Sequence, residues 1–155
     1  YRYFSSKKEL FEVVIARELT TYRKHLQFLD YETESIALDK VLKKTAETLL
    51  GAVTNDRTLS LRRLLCQEVK QSPDIGRYYY EIGPQAAYKN LEKIFAAHQH
   101  ETEFRPEDLA HYFVGMVLHR ATLQRDCGIS KPLAKAQIRT QAAKTTDDFL
   151  KAYFK

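Results

Sequence analysis

Apolar side chains recur at intervals of three and four residues along nearly the whole chain, and this spacing constrains the fold most strongly. It places apolar groups on one face of a helix, whereas a half-buried strand would alternate every second residue. Residues that interrupt helices are scarce, because the 155 residues include only five glycines and four prolines. Sandwiches and barrels need many more turns than this composition supports. The pattern predicts one all-α domain.

The breaks in this pattern indicate where helices begin and end. Ser6, followed by Glu9, has the form of a capping box and predicts a helix start. Gly83-Pro84 predicts a kink or short break within one helix, Gly128 predicts a C-terminal cap, and Pro132 is expected to open the last helix. The six predicted helices cover about residues 7–30, 36–53, 57–71, 78–98, 106–127 and 132–153.

Charge and cysteine content restrict the setting in which the chain works. The formal net charge of +5 permits a polyanionic partner without requiring one. No apolar run approaches the roughly 18 residues that a membrane span needs, so we expect a soluble protein without a membrane partner. Cys66 and Cys127 are too few for a disulfide scaffold, which favours a cytoplasmic location. Their apolar or helix-end surroundings predict buried or inert thiols, with a redox switch as the alternative.

Two segments resemble a known family. Residues 1–11, YRYFSSKKELF, resemble the end of the helix-turn-helix module of bacterial tetracycline-repressor (TetR) family regulators. There an aromatic pair and a phenylalanine close the recognition helix, and a serine cap, lysine, acidic residue and Leu-Phe open the next helix. Residues 62–84, RRLLCQEVKQSPDIGRYYYEIGP, are similar to a segment common in one branch of these repressors.

The resemblance implies a division of the chain. Residues 1–5 would be the remnant of the recognition helix, and residues 6–155 the connecting helix with a TetR-type ligand-binding and dimerisation bundle. Tyr1, Tyr3 and Lys7 would contact operator DNA in the full-length protein, through hydroxyls, a lysine and a helix N-terminus. Because the sequence does not include the upstream helices, we expect a truncated regulator that does not bind operator DNA by itself.

The resemblance also implies an effector and a homodimer. An apolar or aromatic small molecule bound in the helical core would shift the spacing of the DNA-reading heads. The dimer would form through about residues 106–127 and 132–153, with alanines at 134, 136, 142 and 143 permitting close approach and Phe149, Leu150 and Tyr153 as anchors. The candidate effector contacts are aromatic or polar residues on otherwise apolar helix faces, namely Arg62, Cys66, Tyr79, Tyr88, Phe113, Met116, His119 and Arg120. For each aromatic residue and for the methionine, packing in the core is the favoured interpretation, because apolar residues at helical spacing usually pack there.

Other functions have weaker support in the sequence. The segment from His98 to Glu103 holds two histidines and two carboxylates, but His98 and His100 would point apart on a helix, so we predict a solvated loop and no metal. No phosphate-binding glycine loop, nucleophile elbow or HExxH pair occurs, so no enzyme and no cofactor are predicted. The predicted function is a ligand-responsive transcriptional repressor; the alternative is a helical adaptor that binds another protein instead of DNA.

Overall fold

The structure is a computed structural model that describes residues 3–20, 23–24 and 36–155. Over these residues it contains α-helices, one short 3-10 helix at Gln99–Glu101, and no strand. The helices are α1 (Lys7–Glu18), α2 (Leu38–Thr54), α3 (Asp56–Glu68), α4 (Pro73–Ile82), α5 (Pro84–Ala97), α6 (Pro106–Asp126) and α7 (Lys135–Tyr153). The all-α prediction is confirmed. Counting α4 and α5 as one broken helix gives six segments over the described residues, but α4 begins at Pro73, five residues before the predicted start, because proline is well suited to the first position of a helix.

Helix α1 begins where the capping pattern predicts. The Glu9 backbone N–H donates to Ser6 Oγ at 3.1 Å, while the Glu9 carboxylate accepts from the backbone N–H and hydroxyl of Ser5, both at 2.6 Å. These hydrogen bonds lower the pKa of Glu9. The Glu9 carboxylate thus bonds to Ser5, whereas in a capping box it would bond to the backbone N–H of the cap residue, Ser6. Helix α1 ends at Glu18 with Leu19 as its C-cap residue, so it is shorter than the predicted helix that runs to about residue 30. Residues 21–22 and 25–30 of that predicted helix lie outside the described residues.

The Ser6 cap leads to a first prediction. Ser6→Ala is expected to lower the free energy of unfolding by about 1 kcal/mol, because the Glu9 N–H loses its acceptor at the helix start. Urea denaturation followed by circular dichroism measures this change. Ser6→Thr keeps a hydroxyl acceptor and is the matched control. Equal stability of the alanine and threonine variants would show that the hydroxyl contributes nothing.

Two predicted glycine breaks are confirmed. Gly83 separates α4 from α5, and its N–H donates to the carbonyl of Tyr79 at 3.1 Å. A Cβ at this position would lie 3.2 Å from Leu19 Cδ1, so glycine lets the end of α1 approach the junction closely. Gly128 adopts a φ of 71° just after α6, as expected for a helix C-cap.

The start of the last helix differs from the prediction. Helix α7 begins at Lys135 and not at Pro132, with Ala134 as its N-cap residue. The Ala134 N–H donates to Gln137 Oε1 at 2.8 Å, and this bond satisfies a backbone donor ahead of the first turn. Proline is compatible with a helix start but does not by itself impose one, so the local hydrogen bond sets the boundary.

The apolar side chains form two separate cores. The larger core lies between α2, α5, α6 and α7, where Phe95, Phe113 and Phe149 are completely buried with ring centroids 5.0 to 6.3 Å apart. The smaller core joins α1 to α3 and α4. Its buried members are Phe11, Ile15, Leu19, Leu61, Leu65 and Ile75. Helix α1 therefore packs on a layer that is distinct from the main bundle.

Two arginine–aspartate pairs connect these layers at the end of α6. Arg125 of α6 is buried and donates to Asp56 at the start of α3 and to the carbonyl of Ser130. Arg62 of α3 donates in the opposite direction, to Asp126 of α6. The same guanidinium also donates to the carbonyl oxygen of Val53 at 2.9 Å. Because donors come from both helices, α3 and α6 are tied to each other by reciprocal pairs.

Candidate functional site

A cavity of about 180 Å³ lies where the two cores meet. The end of α1, α2, the start of α3, the α4–α5 junction and α6 all contribute to its wall. Most of the wall is aliphatic, formed by Leu19, Leu49, Ala52, Val53, Pro84, Ala87, Val114 and Leu118. Such a wall suits an apolar molecule, and the cavity touches α1 and α6 at once.

Four polar side chains complete the wall. Burial raises the pKa of Tyr79 and of Tyr88, so both phenols stay protonated at neutral pH. The hydroxyl of Thr58 accepts a hydrogen bond from Asn55 Nδ2 at 3.1 Å. Glu18, the last residue of α1, brings a half-buried carboxylate. The site therefore offers two neutral phenols and one acid in an apolar surrounding.

Tyr88 separates the cavity from a groove on the surface. Its ring stacks on His111 with centroids 4.2 Å apart and an interplanar angle of 17°. Tyr88, Val114 and Leu118 line the cavity and also the groove, which runs along α6 past His119. Tyr88 therefore lies at the boundary between the cavity and this groove.

The structure brings together two of the eight predicted effector contacts, Tyr79 and Tyr88, both of which line the cavity. Arg62 lies close to Tyr79, and its positive charge offsets part of the rise in the Tyr79 pKa that burial causes. The Arg62 guanidinium itself donates to the Val53 carbonyl and to the Asp126 carboxylate. Phe113 is completely buried in the larger core.

The remaining predicted contacts lie on the surface of the chain. Met116 and Arg120 border a groove of about 480 Å³ between α6 and α7, and His119 lines the groove beside Tyr88. Cys66 is exposed on α3, and Cys127 is exposed after α6, so the prediction of buried thiols is wrong. Cys66 lies on a side of α3 that the described residues leave uncovered, although apolar residues flank it in sequence, and Cys127 is the C-cap residue of α6.

Sequence reasoning missed most of the cavity wall. Glu18 and Leu19 reach the site only because Gly83 admits the end of α1 to the α4–α5 junction. Leu118 and Val114 read as ordinary core residues, since their spacing on α6 continues the apolar pattern. Tyr79 and Tyr88, on either side of the Gly83-Pro84 break, are the predicted residues that pointed to this place.

The predicted DNA-facing residues lie at the opposite end of α1. Tyr3 is 87% exposed, and Lys7 forms an ion pair with Glu68 of α3, with Nζ 2.7 Å from Oε2. Lys8 lies 3.5 Å from a carboxylate oxygen of Asp74 at the start of α4. Tyr1 is outside the described residues. Both lysines therefore tie the start of α1 to the smaller core.

The outer face of α6 carries an apolar stripe. Tyr112, Met116, His119 and Leu123 recur at intervals of four, three and four residues, and the three apolar members are 43%, 40% and 53% exposed.

The expected dimer contact on α7 is only partly compatible with the structure. Two residues expected at the dimer contact, Ala142 and Phe149, are completely buried in the chain's own core, so their assignment to an intersubunit contact is wrong. They lie on the face of α7 that packs on α2 and α6.

The histidine-rich segment adopts a defined local structure. Residues Gln99–Glu101 form the 3-10 helix, and His98 Nδ1 lies 2.7 Å from Glu101 Oε1. Over residues 3–20, 23–24 and 36–155 no group of three or more histidine, cysteine, aspartate or glutamate side chains is arranged to hold a metal ion. In the same part of the chain no helix is long and apolar enough to cross a membrane.

A comparison with protein families decides the identity of the chain. The family model described as the C-terminal domain of AefR-like transcriptional repressors matches residues 40–155. The chain belongs to this branch of the TetR family. TetR-family proteins are transcriptional regulators, so the family match supports the prediction of a regulator. The match begins within α2 and covers the whole of the larger core.

Solved structures show the same TetR fold. A structure described as a TetR-family transcriptional regulator from Mesorhizobium loti superposes with a TM-score of 0.83 and 23% identity, covering 100% of this chain and 79% of that one. The flavonoid-responsive regulator FrrA gives a TM-score of 0.72 and 22% identity, covering 99% of this chain and 78% of that one. A search of curated proteins gives no match.

Proposed function

We propose that this chain is the effector-binding and dimerisation domain of a TetR-family repressor, with residues 6–155 as the sensing domain. The observation that carries the proposal is the cavity between the two cores, because it is apolar and contacts both α1 and α6. An apolar or aromatic small molecule suits its wall of aliphatic side chains and two phenols. The description of FrrA as flavonoid-responsive supports an aromatic effector for a protein of this fold.

Effector binding would act through α1. Leu19 lines the cavity and also lies against Gly83, where an added Cβ would be only 3.2 Å away. A molecule that displaces Leu19 therefore moves the end of α1, because the junction leaves little free space. Binding then favours one position of α1 over another, as a population shift.

The other end of α1 would carry this movement to DNA. We propose that Tyr1, Tyr3 and Lys7 contact the operator in the full-length protein, as the resemblance of residues 1–11 implies. Lys7 is held by Glu68 of α3, so a movement of α1 on the smaller core also changes the position of this lysine. An altered position of α1 would change the spacing of two DNA-reading heads, which must match half-sites about one helical turn apart.

We further propose a homodimer formed through the outer faces of about residues 106–127 and 132–153. The α6 stripe of Tyr112, Met116 and Leu123 supports this arrangement, because an exposed apolar row of this length is typical of an interface. The groove between α6 and α7, bordered by Met116 and Lys144, would be covered by the second copy.

Filling the cavity tests the effector proposal. Leu118→Trp places an indole in the cavity and is expected to abolish binding of naphthalenemethanol, a neutral aromatic probe, because the ring competes for the same volume. Isothermal titration calorimetry on the 155-residue chain measures this binding. Overpacking is expected to cost about 1–3 kcal/mol of stability, so a thermal melt must accompany the titration.

The matched control is Ile129→Trp, which adds the same ring at a position that is 75% exposed just after α6 and outside the cavity. This variant is expected to bind the probe like the unmodified chain. Unchanged binding by Leu118→Trp, or equal loss in both variants, would contradict the assignment of the cavity as the effector site.

A further inference from the structure

We infer that the cavity accepts cationic aromatic molecules and rejects anionic ones, with Glu18 as the residue that determines this specificity. The inference rests on the proposed function, since it names the class of effector that the same cavity takes. It follows from the distribution of charge around the site.

Glu18 is the one charged side chain among the described residues that line the cavity, where lysine, arginine and histidine are absent. Its carboxylate forms no ion pair with any described residue. The guanidinium of Arg62, close to Tyr79, is occupied by the Val53 carbonyl and the Asp126 carboxylate. Arg57 is exposed and lines a separate outer groove that Glu18 also borders.

An anion would therefore bind poorly. It would lose hydration on entering an apolar cavity and meet no positive partner among the described lining residues, while the Glu18 carboxylate would repel it. Burial raises the pKa of the two tyrosines, so their phenols remain neutral and add no negative charge.

A cation would meet the opposite environment. The ammonium group of an aromatic amine can pair with Glu18 while its ring contacts Leu49, Val114 and Leu118. The faces of Tyr79 and Tyr88 also attract a cation through their ring quadrupoles. The half-buried position of Glu18 leaves this carboxylate less screened than one that is fully in water.

Three naphthalene probes that differ in charge test the inference. We expect the naphthalenemethylammonium cation to bind the 155-residue chain at least about tenfold more tightly than naphthalenecarboxylate, with neutral naphthalenemethanol between them. In Glu18→Gln the cation should lose about tenfold in affinity, or about 1.4 kcal/mol, while the alcohol is unchanged. Calorimetric titrations at neutral pH and low salt give all of these constants.

Two further variants keep the result interpretable. Glu12→Gln removes another α1 carboxylate, one that lies near Lys8 and outside the cavity, and should leave all three affinities unchanged. Glu18→Lys should reverse the order, so that the carboxylate probe binds best. Circular dichroism melts establish that each variant is folded.

The failure of this inference is distinguishable from the failure of the proposed function. Equal binding of the three probes, or unchanged preferences in both Glu18 variants, would overturn the charge specificity and leave the cavity as the effector site. Absence of binding by every probe, or binding that Leu118→Trp leaves intact, would overturn the effector site itself.

Discussion

Phe113→Ala is expected to lower the free energy of unfolding by about 3–5 kcal/mol, the cost of removing a fully buried aromatic ring. Phe113 lies at the centre of the larger core, with no exposed surface. Its ring packs edge-on against Phe95 of α5 at 6.3 Å and Phe149 of α7 at 5.0 Å, measured between centroids. Removal of the ring would therefore leave a cavity bordered by three helices that cannot all close on it.

Urea or thermal denaturation measures this loss. Domains of this kind have a total stability of about 5–15 kcal/mol, so the variant is expected to be near the limit of folding at physiological temperature. Tyr80→Ala removes an aromatic ring at an exposed position of α4, so it is the control and should cost much less. A loss below about 1 kcal/mol for Phe113→Ala would show that the core repacks around the site, contrary to the arrangement of the three rings.

The combined Met116→Asp and Leu123→Asp substitution is expected to convert the proposed homodimer to a monomer. Both side chains lie on the exposed stripe of α6, and two carboxylates would have to be buried without partners in the dimer. We expect the dissociation constant to rise by more than about 100-fold, which corresponds to roughly 3 kcal/mol of binding free energy. Sedimentation velocity over a range of protein concentrations measures it.

Leu64→Asp is the control for this experiment, because Leu64 is 43% exposed on α3, away from the α6 stripe. This variant should remain dimeric. If the variant with both Met116→Asp and Leu123→Asp is folded and still dimeric, this face of α6 is excluded as the interface. A monomeric unmodified chain would exclude the homodimer for these 155 residues.

Helix α6 links the cavity, the larger core and the proposed interface. Val114 and Leu118 face the cavity, Phe113 and Val117 face the core, and Leu123 faces outward. The Arg125 and Asp126 pairs at its end also attach it to α3. A change in the cavity therefore acts on the helix proposed to hold two subunits together, and it also reaches α1 through Leu19.

Helix positions could be predicted from the sequence because they depend on local patterns. The Ser6 cap, the break at Gly83 and the cap at Gly128 all follow from backbone requirements of neighbouring residues. The boundary at Lys135 was missed because proline permits a helix start at several positions, and a side-chain hydrogen bond from Gln137 selected one.

The candidate site was much less predictable. Tyr79 and Tyr88 were found because tyrosines on an apolar face are unusual enough to single out. Arg62 was expected near the site, but it donates to the Val53 carbonyl and the Asp126 carboxylate, which no local pattern indicates. Glu18 was not identified, because a lone glutamate within the predicted helix over residues 7–30 resembles any solvated charge, and only the structure ends α1 at this residue.

The sequence by itself determined the all-α class, the order of the helices and the TetR resemblance, because helical period and capping act over a few residues. Only the tertiary structure decided which apolar face meets which partner. It buried Phe149 in the chain's own core, left Cys66 exposed and placed Glu18 at the cavity. An apolar stripe on a helix favours burial, but it does not specify which neighbouring helix will cover it. The covering helix depends on how residues distant in sequence pack together.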